Sequence, residues 1–99
     1  GHTLVIPKRH VADWFDATPE EQAAIMELLS VCRSKFEHRA EASAEADPDA
    51  FNIGINCGRA AGQTVMHLHV HLIPRYEGDQ GDPRGGVRLI FPGKARYWE

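Results

Sequence analysis

The stretch "GQTVMHLHVHLIPR", residues 62–75, places His67, His69 and His71 at every second position, with Leu68 and Val70 between them. A strand sends successive side chains to opposite faces. The three imidazoles then share one face, and Leu68, Val70 and Leu72 share the other. On a helix the same spacing scatters the rings and nothing converges. The pattern therefore predicts a strand over about 64–73, apolar and buried on one side, with neighbouring histidine Cα atoms ~6.5–7 Å apart on the other.

The rest of the chain reads as a frame for that strand. "HTLVIP" at 2–7 predicts a strand ended by Pro7. Thr18-Pro19-Glu20-Glu21 is a helix start, with Thr18 as cap, Pro19 at the first helical position and Glu21 closing a capping box. Ile25, Leu28, Leu29, Cys32 and Phe36 then recur on one helical face, predicting a helix from 19 to about 41 with His38 on its surface. The Ala- and acid-rich run that follows, up to Pro48, reads as a solvated connector. "FNIGIN" at 51–56 alternates as a half-buried strand, and "CGRAAG" turns the chain into the histidine strand. Pro74 and the Gly- and Asp-rich 78–86 predict a loop, and "VRLIF" at 87–91 a last short strand. Strand, helix, then consecutive strands indicate an α+β domain with an antiparallel sheet and one packed amphipathic helix.

At 99 residues the chain is one small domain. A formal net charge of -3 gives no electrostatic case for nucleic acid, and no apolar run approaches a membrane span. Cys32 and Cys57 have no CxxC spacing and read as reduced thiols in a cytoplasmic protein.

Three uses of the histidine face compete. It is a polar surface that happens to use histidine, a metal site, or a site of nucleophilic catalysis. Imidazole is a common zinc ligand, but Asp, Glu and Cys are absent from the strand itself. A neutral imidazole attacking phosphorus, oriented through its other nitrogen and assisted by a neighbour, uses several histidines on one face. It also uses the polar residues just upstream. The amides of Asn56 and Gln63 and the hydroxyl of Thr64 can donate to phosphate oxygens.

H-x-H-x-H with GQT ahead and PR behind resembles the histidine-triad (HIT) family. "GHTLVIPKRH", "NIGINCGRAAGQT" and "HLIPRYEGD" extend that resemblance over residues 1 to about 80, with Fhit-like features at the exit. The tail "DPRGGVRLIFPGKARYW" resembles bacterial members. The resemblance implies a HIT-like fold and hydrolysis at the α-phosphate of dinucleoside polyphosphates such as diadenosine tetraphosphate, through a nucleotidyl-histidine. His69 would be the nucleophile, flanked by His67 and His71, with Asn56, Gln63, Thr64 and His2 supporting substrate. It further implies a homodimer, an adenine nucleotide as substrate, and no resident cofactor, Mg2+ arriving with the substrate phosphates. Alternatives are a Hint-like nucleoside phosphoramidase and a non-catalytic nucleotide-binding protein. His10 resembles a position that joins a structural zinc site in some relatives, but they draw cysteines from an N-terminal segment, and no metal is assigned here. Family members begin with about one more strand–helix–strand unit, so residues 1–99 are expected to be a single HIT domain lacking its N-terminal part.

Overall fold

A computed structural model gives the structure, which describes residues 1–37 and 47–98. Three strands, β1 (Thr3–Val5), β2 (Ala50–Ile55) and β3 (Val70–Arg75), form an antiparallel sheet in the order β1-β3-β2. Register is set by Leu4 and Gly54 both standing opposite His71, and by Val5 and Ile55 both standing opposite Val70. The helix α1 (Pro19–Glu37) packs on one face of this sheet.

That helix begins as its sequence predicts. Thr18 Oγ1 accepts from Glu21 N–H at 3.1 Å, and Glu21 Oε1 accepts from Thr18 N–H at 2.9 Å, so two orphan donors of the first turn are satisfied. The expected stretch beyond Glu37, His38 included, and most of the acidic connector lie outside the described residues. Ile25 and Phe36 are buried, with Leu29 and Cys32 partly so; Leu28, at the side of that seam, is 43% exposed. The core joins Ile25 to Val5, Val11, Ala17, Leu68 and Val70, and the Phe36 and Phe51 rings meet at 5.6 Å.

The histidine strand begins later and ends later than its periodicity suggests. The ladder runs from Val70 to Arg75 rather than from 64 to 73, and Val65–His67 bend. Alternation nevertheless holds throughout, with Leu68, Val70 and Leu72 each 1% exposed. Pro74 lies inside β3, opposite Phe51. Arg75 C=O accepts from Asp49 N–H on the β2 side, so Pro74's missing donor falls on the β1 side, where pairing has stopped at Leu72. A strand tolerates proline where no ladder bond is needed.

The expected strand at 87–91 is a short 3-10 turn, Gly86–Ile90. Gly85 and Gly86 take positive φ angles of 96° and 49°, and the bonds close to i+3, from Arg88 N–H to Gly85 C=O and from Phe91 N–H to Arg88 C=O. The two glycines turn the chain before an extended run can start, so local backbone geometry overrides the β-branched and aromatic content. In β2, Ile53 sits on the helix side of the sheet yet is 52% exposed, so alternation there does not amount to burial.

Candidate active site

The histidines stand where the loop after β1 meets the approach to β3. Leu68 N–H donates to Val11 C=O at 2.7 Å, stitching the approach to that loop. His67 Nε2 lies 3.0 Å from Pro7 C=O. His69 Nδ1 lies 2.8 Å from the carbonyl of His67, two residues back. A carbonyl oxygen only accepts, so both contacts fix a tautomer. His69 carries its proton on Nδ1, and its Nε2 keeps a lone pair.

His71 is held differently. Its Nδ1 lies 2.9 Å from His2 Nε2, and its ring meets that of His69 edge-on at 5.2 Å. Burial, and then the charges of His69 and His2, hold its pKa below the ordinary histidine value. His71 therefore favours the neutral ring. If its Nδ1 accepts from His2, its Nε2 carries the proton and can donate to an incoming oxygen. His2 reaches it because Leu4, two residues on, pairs with His71, which puts His2 on the same sheet face.

Asn56 is exposed one residue past the last rung, Ile55 opposite Val70, at the level of His69. Thr64 is likewise exposed, just ahead of the histidines in the chain. Gln63 does not join them. It is 4% exposed, its Oε1 accepts from Gly58 N–H at 2.8 Å, and its Nε2 donates to Ala12 C=O at 2.6 Å and Val65 C=O at 3.0 Å. Both amide hydrogens are occupied within the chain. The expected substrate contact of Gln63 therefore gives way to a structural role, pinning the turn to Ala12 in the loop that follows β1. That turn needs its glycines, since Gly58 and Gly62 flank Arg59–Ala61 with φ of 91° and 96°.

The His10 ring meets that of His67 at 5.0 Å, tilted by 59°, and its Nε2 lies 3.2 Å from Met66 C=O. Among the described residues no group of three or more His, Cys, Asp or Glu is arranged to hold a metal ion. Sequence reasoning missed the acceptors that orient His67 and His69, because backbone carbonyls leave no mark on residue identity. It also missed Arg75, which continues the two-residue period of the histidines on the same face.

A model of the HIT domain matches residues 1–78. This chain belongs to the histidine-triad family. An uncharacterized HIT-like protein of Mycobacterium tuberculosis is 42% identical over 89 residues, covering 90% of this chain and 58% of its own. An asymmetrical bis(5'-nucleosyl)-tetraphosphatase of Schizosaccharomyces pombe is 43% identical over 79 residues, covering 80% of this chain and 40% of the yeast protein. The crystal structure of a HIT family protein from Bacillus anthracis superposes with a TM-score of 0.65 at 45% identity, over 76% of this chain and 49% of that one. The chain spans about half the length of the curated relatives it matches. The sheet and helix described above are thus the α+β HIT fold over that part of the domain, and nucleotide binding and hydrolysis are the chemistry of the HIT family.

Proposed function

We propose that this chain is the catalytic part of a nucleotide hydrolase that cleaves dinucleoside polyphosphates, such as diadenosine tetraphosphate, at the α-phosphate. The observation that carries this reading is the His69 Nδ1 contact with the His67 carbonyl at 2.8 Å, which leaves Nε2 as an oriented nucleophile. Nε2 attacks the α-phosphorus, a P–N bond forms, and the P–O bond to the leaving nucleotide breaks with its electron pair on that oxygen. A proton on His71 Nε2, and the exposed Asn56 amide and Thr64 hydroxyl, meet the negative charge that develops. Water then attacks the adduct, the P–N electron pair returns to Nε2, and the surplus proton leaves to solvent. His67, tied to Pro7, holds in place the carbonyl that orients His69. The relationship to the yeast tetraphosphatase supports the substrate class. A homodimer in the cytoplasm, with Mg2+ accompanying the substrate phosphates, completes the reading.

The test is to trap the intermediate. A phosphoramidate is acid-labile and survives alkali better, so a rapid alkaline quench during turnover should leave a nucleotidyl group on His69 in the peptide spanning His67 to His71. Hydrolysis in heavy-oxygen water should label the mononucleotide released from the enzyme. If hydrolysis proceeds without an adduct, water attacks directly and His69 is not the nucleophile; label in the other product would place that attack on the β-phosphorus instead.

A further inference from the structure

The histidine face does not end at His71. Side chains two apart on a strand share a face, so His71, Ile73 and Arg75 follow one another along it, with Arg75 ~13 Å beyond His71 at the usual rise per residue. Asn52, opposite Ile73 on β2, lies on the same face, and its Oδ1 accepts from Arg75 Nη1 at 2.7 Å. Gly54 stands opposite His71 itself, where an added Cβ would meet nothing within 4 Å. The β2 side of the face is therefore open beside His71, and Ile73 with Asn52 forms the floor from there to Arg75.

At the far end of that floor is a cleft of about 400 Å³, lined among others by Asp49, Asn52, Arg75, Tyr76, Glu77 and Asp79. Its size falls in the range of small-molecule sites. Its charge rules out polyphosphate as occupant, with three carboxylates against one guanidinium. Asp79 takes both Arg75 Nε and Nη2, at 2.7 and 2.8 Å, so the guanidinium is already paired. What remains on offer is an aromatic ring, carboxylate acceptors and an amide. These suit an uncharged heterocycle with amino hydrogens.

We propose that this cleft receives the distal nucleoside of the substrate, the one carried off by the leaving group, while the phosphates stay over the histidines. The assignment rests on the reading of the chain as a dinucleoside polyphosphate hydrolase and adds to it the residues that select a dinucleotide over a mononucleotide. Tyr76 stacks on the distal base, and Asp49 and Glu77 accept from its amino edge.

Three substrates test it: diadenosine tetraphosphate, adenosine 5'-tetraphosphate, which lacks the distal nucleoside, and an aryl ester of AMP with a small leaving group. The wild-type protein should prefer the dinucleotide over adenosine tetraphosphate in kcat/KM. Tyr76→Ala should lower dinucleotide turnover by about tenfold, the scale of one base–aromatic stack, and leave the other two substrates essentially unchanged. Tyr76→Phe should retain the preference. An unchanged preference in Tyr76→Ala, or an equal fall on all three substrates, overturns the assignment. Glu77→Lys separates base from phosphate as occupant. A gain confined to adenosine tetraphosphate would make the cleft a phosphate site and overturn the nucleoside assignment. A wild-type protein that cleaves the ester but neither polyphosphate overturns the hydrolase reading itself, a result distinct from the loss of discrimination alone.

Discussion

Residues 62–75 are one continuous stretch built in two ways. From Val70 onward the chain is the central strand, laddered to β1 on one side and β2 on the other. Before Val70 it follows the same alternation without a ladder, bonded instead to the loop at 7–12 through Leu68 N–H, the His67 ring and the Gln63 amide. Main-chain acceptors in a central strand are taken by its neighbours. Outside the ladder they are open to side chains, and the carbonyl of His67 can orient His69. His71, inside the ladder, takes its orientation from another side chain, His2. The two halves thus position histidines by different means, and a ring oriented by a carbonyl of its own strand, as His69 is, needs the unladdered half.

The largest effect should come from removing the oriented ring. His69→Ala should abolish nearly all turnover, while Leu68 and the loop bonds keep the fold. A variant retaining more than about a tenth of the wild-type rate, a barrier change under ~1.4 kcal/mol, would show that the unladdered half does not supply the nucleophile. Next come the apolar residues beneath the two halves. Leu68→Ala and Leu72→Ala each remove a fully buried side chain and should each cost about 2–5 kcal/mol in urea denaturation. Only Leu68→Ala, which loosens the segment between His67 and His69, should also lower kcat of the folded fraction. Equal kcat losses would erase the distinction between the halves.

The polar residues ahead of the triad give a smaller and sharper contrast. Gln63→Ala leaves Gly58 N–H and the carbonyls of Ala12 and Val65 without their partner, and should cost about 1–3 kcal/mol of stability. Asn56→Ala, at an exposed site, should change stability by less than about 0.5 kcal/mol and instead weaken catalysis. The reverse pattern would return Gln63 to the substrate. Smallest is a pH effect. By proton NMR, His71 should titrate below the usual histidine range, and below its value in the unfolded chain. The unfolded state then binds more protons in that window, so this group's contribution to stability falls as pH drops from the ordinary histidine value toward the folded one. His69→Ala removes a like charge and should move the His71 midpoint upward.

The facing of residues 67–72 was legible in the sequence, because extended backbone fixes a two-residue period that alternating residue types report, and that period survives the loss of the ladder. So were Thr18 and Glu21 as a cap, a purely local arrangement. Ladder limits were not legible, since they depend on where β1 stops and on which side Pro74 lacks its donor. Gln63 was misread for a related reason. A polar residue beside the histidine strand looks the same in sequence whether its amide faces solvent or three backbone groups, two nearby at Gly58 and Val65 and one distant at Ala12. "VRLIF" was misread because the positive φ angles of Gly85 and Gly86 decide the path before side-chain propensity acts. His2 stood out only through family resemblance; its contact with His71 spans 69 positions of chain.

Glu21 does more than close a helix. Its Oε1 also takes Arg9 Nη2 at 2.7 Å, and the same guanidinium nitrogen reaches Asp16 C=O at 3.3 Å, so the helix start grips the loop that carries Pro7. Arg9 first, and then the Thr18 N–H, hold the Glu21 carboxyl down to about 2. A carboxylate depressed in the folded state keeps its contribution above its unfolded pKa of about 4.5 and loses it only as pH falls toward the folded value. Mild acid above that range thus leaves this clasp intact. Any loss of activity on mild acidification that stays above about pH 4.5 should therefore leave the Pro7 loop in place, and neutralisation should reverse it with no refolding delay.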